Sequence, residues 1–237
     1  MRVAVMQPYL FPYWPYLQLM ASVDVFVILS TVQFNSRGWA RRNSILLNGA
    51  PHLFSIPIQH HSRSTCYGDI YLSKNISQWS ERFDRTLVHA YKGALSDNII
   101  RDIVHKTLDV PKDKVRSFCE TFGIMYHALN NIIPIKSKIL DARDLTPRGE
   151  KTAQEYIISM VKEIGATSYV NAIGGRQLYC AKTFEAQGLK LQFINGTQEP
   201  YNQNTSQFIS NLSCLDLIAR LSTDELTHRL ANYTIED

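Results

Sequence analysis

The chain has 237 residues, 45% hydrophobic and 19% charged, an ordinary globular composition with enough length to bury a sizeable core. Its net charge of +4 suits an anionic small-molecule ligand but falls short of the dense basic surface of a nucleic-acid binder. The four cysteines (Cys66, Cys119, Cys180 and Cys214) lie far apart without C-x-x-C or Cys/His spacing, which argues against a disulfide framework or structural zinc.

The thiols are therefore expected to be reduced, in a reducing compartment. The apolar N-terminal run is broken by Gln7, Pro8, Pro12 and Pro15, and no small-residue cleavage site follows a basic start. No stretch approaches the ~18 apolar residues that cross a bilayer. A cytoplasmic protein without a membrane span is the expectation.

In chain order, RVAVM (residues 2–6) is a short buried strand that Gln7-Pro8 ends, because proline cannot extend a ladder. An aromatic-proline turn follows, and Pro15 suits the first turn of a short helix. Residues 23–29 are almost wholly apolar and include β-branched residues, as in a buried parallel strand. A polar, basic loop runs from Gln33 to Asn43. Residues 44–58 form a hairpin turning at Asn48-Gly49, and 59–69 an exposed loop.

Helices are predicted over 75–91, 98–108 and 112–130, the first with Ile76, Trp79, Phe83, Leu87 and Val88 on one face. A proline-interrupted strand is expected over 132–140. A helix over 149–164 closes at Gly165. Strand 168–172, a glycine turn, helix 180–187, strand 188–194 and two short helices within 211–230 complete the chain. This alternation predicts a single α/β domain over 1–237 with a largely parallel, Rossmann-like sheet and a helical insertion at about 75–130.

Three stretches are candidates for chemistry. In doubly wound folds ligands sit beyond the carboxyl ends of strands, which is where the turn after the first strand belongs. There Gln7 offers an amide, and Tyr9, Tyr13 and Tyr16 offer hydroxyls on rigid rings; the alternative is that the rings only pack the sheet edge. In the basic loop, Arg37, Arg41 and Arg42 surround Trp39, with Asn35 and Asn43 at the borders. Arginine forks match phosphate or carboxylate, and the indole offers a stacking face; the alternative is a solvated basic loop. The third stretch is Gly174-Gly175-Arg176, whose glycines would let backbone N–H groups approach an anion, or simply make a tight turn.

Other residues offer less. Histidines 52, 60, 61, 89, 105, 127 and 228 show no metal spacing, and His60-His61 fits an exposed loop pair. Ser213 and Asp216 suit a helix capping box. Asp24 is a candidate base only if it lies at the mouth of the site. No metal site is predicted.

The stretches MQPYLFPYWPYLQL, DVFVILSTVQF and RGWARRNSI, with YVNAIGGRQLY, TFEAQGLKLQF and NLSCLDLIA further on, resemble the WbqC-like protein family over about residues 1–217. Pro15 replaces a glycine of the family pattern, and Ser30 and Thr31 replace acidic residues. The resemblance implies surface-polysaccharide (O-antigen, lipopolysaccharide) biosynthesis and transfer of an acyl or aminoacyl group, such as glycine, to a nucleotide-linked amino sugar. ATP or an acyl donor would be the co-substrate. Tyr13 and Tyr16 at a helix start are also similar in placement to the H-x-G-H region of nucleotidylyltransferases, though tyrosines lack its positive charge.

The predicted ligand set is Gln7, Tyr9, Tyr13, Tyr16, Arg37, Trp39, Arg42, Asn43, Gly174, Gly175 and Arg176. A non-catalytic protein that binds a nucleotide sugar or glycan precursor is the alternative function. RNA binding through the Trp39 loop is a weaker third reading.

Overall fold

The computed structural model describes residues 1–111 and 113–237. Its frame is a six-stranded sheet in the order β5-β2-β1-β6-β7-β8, built from Lys138–Asp141, Val25–Ile28, Arg2–Met6, Ser168–Ala172, Lys190–Gly196 and Tyr233–Glu236. The first five strands run parallel, and β8 is antiparallel to β7. Counting only the parallel strands, the order is 3-2-1-4-5, that of a doubly wound Rossmann-like sheet whose connections reverse direction between β1 and β6.

Strand alternation divides the core in two. Ala4, Phe26, Val170 and Ile194 enter one apolar cluster, while Val3, Val5, Val25, Val27, Tyr169, Leu191 and Phe193 enter the other. The first cluster holds α1 (Trp14–Ala21), the insertion helices α2 (Ile76–Tyr91), α3 (Asp97–Leu108) and α4 (Phe118–Asn130), and later α7 (Cys214–Arg220) and α8 (Thr223–Ala231). The second is covered by α5 (Ala153–Glu163) and α6 (Ala181–Glu185). Each fully buried aliphatic or aromatic side chain contributes roughly 1.5–3 kcal/mol, so both faces of the sheet are firmly sealed.

The hairpin forms as expected: β3 (Arg42–Leu47) pairs with β4 (Ala50–Ser55), and Asn48 and Gly49 both take positive φ (51° and 77°). Gly165 closes α5 with φ 74°. Several boundaries differ from the sequence reading. The helix expected from Lys112 begins at Phe118, where Ser117 Oγ caps Glu120 N; Lys112 itself lies outside the described residues. Of the expected 132–140 strand only 138–140 joins the sheet, as part of β5, which runs on to Asp141. Arg42 and Asn43 belong to a strand rather than to the loop. The terminal strand β8 has no counterpart among the elements expected from the sequence.

One irregularity shapes the molecule. Strand β1 stays in register with β2 as far as Met6↔Ile28, yet pairs with β6 only at Arg2↔Ser168 and Val3↔Tyr169. Beyond those residues β1 and β6 part. The sheet therefore opens at its carboxyl edge where the connections reverse, with Gln7-Pro8 on one side and 172–175 on the other.

Candidate functional site

The turn after β1 is held in a conformation it would not choose alone. Phe11 sits at φ 48°, fully buried; a non-glycine residue in this left-handed region costs about 1–2 kcal/mol. Its N–H points at Met125 Sδ (2.9 Å), and its carbonyl accepts from Asn43 Nδ2 and Ser213 Oγ, both at 2.9 Å. Around it, Leu10 N donates to Ala40 O (2.8 Å) and Cys214 N to Pro12 O (2.7 Å). Four separate elements thus fix one turn. Strain maintained in this way is characteristic of preorganised sites.

The turn presents Tyr9 and Tyr13 to a cleft of about 320 Å³ that Trp39, Asn43 and Asn211 complete. Trp39 is 56% exposed, with the Arg42 guanidinium 5.5 Å from its ring centroid. Tyr9 stacks on buried Tyr16 (5.2 Å, 8° between planes), whose hydroxyl donates to Gln7 O (2.7 Å). Burial pushes the Tyr9 and Tyr13 phenols above their usual range, Tyr16 further still, and neighbouring Tyr67 up to about 12. All four are neutral near pH 7, so their hydroxyls can donate hydrogen bonds but do not serve as bases.

A second, more open cleft of about 730 Å³ lies along the same loop, lined by Gln33, Phe34, Asn35, Ser36, Arg37, His61 and Arg63. Residues 65–68 fold back along 30–34 through Phe34 N→Thr65 O (2.9 Å), Tyr67 N→Val32 O (3.1 Å) and Gly68 N→Ser30 O (2.8 Å). That pairing brings the loop expected to be merely exposed beside Arg37. His61 Nδ1 lies 2.9 Å from the Ser62 carbonyl. Since a carbonyl can only accept, the ring proton belongs on Nδ1, which leaves Nε2 free to take a proton.

The three arginines of the loop divide into two roles. Arg41 donates to Ser55 Oγ (2.8 Å) and Ile56 O (3.0 Å), while Arg42 donates to Gly38 O (3.0 Å) and to Arg37 O. Both tie the loop to its own frame. Among the described residues, the Arg37 side chain has no protein partner, so its full fork faces solvent.

Of the remaining predicted residues, only Asn43 lines one of these clefts. Tyr16 is a buried support for Tyr9. Asn43 lines the aromatic cleft, but its Nδ2 holds Phe11 O and its Oδ1 accepts from Ser44 N (2.8 Å). Gly174, Gly175 and Arg176 form a tight 3-10 turn after β6 and line neither cleft. Arg176 pairs with Glu236 (2.9 Å) and lies 4.7 Å from the Phe193 centroid.

Asp24 accepts from Arg2 N (2.7 Å) at the amino end of β2, on the opposite edge of the sheet from the clefts. Ser213 caps α7, but Asp216 does not complete a capping box; it is buried among Tyr91, Tyr201 and Arg220. His61, Arg63, Tyr67 and Asn211 join the site without any local sequence signal, since contacts across long chain separations place them.

Below the clefts, Ser30 donates to the carboxylate of Asp141, which also binds Arg143 Nη2 (2.9 Å); Arg143 Nη1 in turn holds Gly68 O (3.1 Å). Burial alone would raise the Asp141 pKa, but the bonds from Arg143 and Ser30 outweigh it and hold the group below its usual value. Asp141 on β5 thus ties Ser30 to the backbone at Gly68 through Arg143. Among the described residues no group of His, Cys, Asp and Glu is arranged to hold a metal, and no helix is long and apolar enough to cross a membrane.

The model of the WbqC-like protein family matches residues 7–228, almost the entire chain. The chain belongs to the WbqC-like protein family. It is also 21% identical over 232 residues to the uncharacterized protein Rv1507c of Mycobacterium tuberculosis, covering 94% of this chain and 95% of that protein. No solved structure matches it. Within this WbqC-like chain the aromatic turn and the tryptophan loop meet at the carboxyl edge of β1 and β2.

Proposed function

We propose that this WbqC-like protein binds a nucleotide-linked amino sugar across the two clefts and transfers an acyl or aminoacyl group to its amine, in surface-polysaccharide synthesis. One observation carries the reading: a single loop places Trp39 on the aromatic cleft and Arg37 in the basic one. A sugar ring would rest on the faces of Trp39, Tyr9 and Tyr13, with the neutral phenols donating to its hydroxyls. The diphosphate would lie against Arg37 and Arg63, whose forks match its oxygens. In the transfer, the amine nitrogen bonds to the acyl carbon as the bond to the leaving group breaks. His61 Nε2 is the group at the clefts suited to take the amine proton. The acyl group comes from an activated donor, or from a carboxylate activated with ATP.

A second reading has its own support. Among the described residues, Tyr9, Tyr13, Trp39, Asn43 and Asn211 give the aromatic cleft no carboxylate, imidazole, amine or thiol. A pocket of rings and amides is what a non-catalytic sugar-binding protein requires.

The deciding experiment incubates the protein with nucleotide amino sugars, activated acyl and aminoacyl donors, amino acids and ATP, and reads products by mass spectrometry. A new amide, lost in Arg37→Ala and Trp39→Ala, is expected. Thermal stabilisation by the nucleotide sugar with no product across the donor set would support the binding protein instead. If neither variant weakens binding of a confirmed ligand, the placement across the two clefts is wrong.

A further inference from the structure

At the other end of α7 from Ser213, roughly 10 Å along its axis, lies a separate cleft of about 440 Å³. Its walls are the Asn48-Gly49 turn, the end of α2 with the segment that follows it (89–95), and residues 202–204. Its charged lining is cationic. Arg220 and Lys92 line it, beside His89 and the amides of Asn48, Asn202, Gln203 and Asn204, and among the described residues no aspartate or glutamate does.

Arg220 is the centre of this arrangement. Its side chain is only 12% exposed, its Nε bonds Asp216 Oδ1 (3.2 Å), and its guanidinium lies 5.4 Å from the Tyr91 ring centroid. Asp216 is completely buried and accepts from the Tyr91 hydroxyl (2.7 Å) and the Tyr201 hydroxyl (2.6 Å). With both carboxylate oxygens engaged, Asp216 acts as a fixed support that sets the plane of the guanidinium. The terminal amino groups of Arg220 meet no protein acceptor among the described residues.

Burying a charged network of this kind gives little net stability over an apolar equivalent, because desolvation offsets the attraction. What it does supply is a preorganised donor fork at the floor of a cleft. Lys92, an exposed residue of the lining, adds a second cation, and His89 is oriented by Asn48 Oδ1 at 3.2 Å.

We propose that this cleft is a second ligand site, binding a small dianionic metabolite (a phosphate ester or a dicarboxylate) with Arg220 as anchor and Lys92 as the second charge. The site is independent of the nucleotide-sugar reading, and its test keeps the two apart. Protein carrying Arg37→Ala and Arg63→Ala, so that the basic cleft cannot respond, is titrated with inorganic phosphate and with malonate while backbone amide shifts are followed by NMR.

Saturable shifts at Gly49, Gly93 and Asn204 are expected. Response to phosphate alone assigns the site to phosphate esters, response to malonate alone to dicarboxylates, and response to both to the shared charge. Lys92→Glu should weaken binding at least tenfold without moving Tm, because Lys92 is exposed. Arg220→Lys, which keeps a cation beside Asp216 but loses the fork, should weaken it likewise; if that variant unfolds, Lys92→Glu alone decides. The absence of saturable shifts with either probe, or shifts unchanged by Lys92→Glu, would overturn the proposal.

Discussion

The clamp on Phe11 gives a quantitative expectation. Its buried carbonyl has two acceptor sites and two side-chain donors, Asn43 Nδ2 and Ser213 Oγ, each at 2.9 Å. Asn43→Ala removes one of these bonds, a net loss of about 0.5–1.5 kcal/mol, and also deprives Ser44 N of its acceptor, so about 2 kcal/mol in all is expected. Ser213→Ala removes the other bond together with the N-cap of α7, which by itself is worth ~1 kcal/mol, again giving about 2 kcal/mol. Only the double variant leaves the carbonyl with no partner. An orphaned buried acceptor costs a further 1–3 kcal/mol or so, so the double variant should lose about that much more than the sum of the singles.

Urea unfolding of the four proteins measures this cycle, and in a chain of this size each kcal/mol moves Tm by about 2–4 °C. Single variants should therefore melt about 4–8 °C below the parent. Because Phe11 is held at φ 48°, the freed turn should relax and carry Tyr9 and Tyr13 out of place, lowering ligand affinity even where the fold survives. Additivity within about 0.5 kcal/mol would refute the idea of a jointly held carbonyl.

Three further expectations concern charge and thiols. By calorimetry, Arg37→Ala and Arg63→Ala should each weaken a nucleoside diphosphate about tenfold, from loss of a charge-assisted bond at an open surface, whereas Arg42→Ala should chiefly lower Tm by freeing the loop. The Asp141 pKa is depressed in the folded state, so its contribution to stability is present above the unfolded value near ~3.9 and is lost as pH falls through the folded value. The Tm difference between the parent and Asp141→Asn should be full at pH 6–7 and shrink below about pH 4; a constant gap would show that the carboxylate charge is not involved. In alkylation at neutral pH, exposed Cys180, whose pKa is lowered by a hydrogen bond with Thr183, should react well before Cys119 and Cys214, which burial pushes up to about 12.

Sequence by itself determined what depends on neighbours along the chain. The parallel sheet follows from continuous apolar runs such as Val25–Ile28, the hairpin turn from Asn48-Gly49, the helix end from Gly165, and the family from the aromatic turn and the RGWARRN loop. Each is a local constraint on φ or on burial, and a single stretch of sequence is enough to express it. Element limits were less legible where a distant partner sets them. Residues 132–137 are as apolar as a strand, yet only 138–141 find β2, and β8 exists because β7 offers it an edge.

The site depended still more on tertiary structure. The run of arginines looked uniform, but folding gives Arg41 and Arg42 to backbone and side-chain acceptors around their own loop and leaves Arg37 to solvent. His61 and Arg63 come from an unremarkable polar loop, and Asn211 from nearly two hundred residues beyond the tyrosines it faces. Asp216 looked like a capping residue and became a buried hub for two tyrosines and Arg220. Residue type fixes which bonds a side chain can make, but which of them it does make is settled by groups that only the folded chain brings within 3 Å or so.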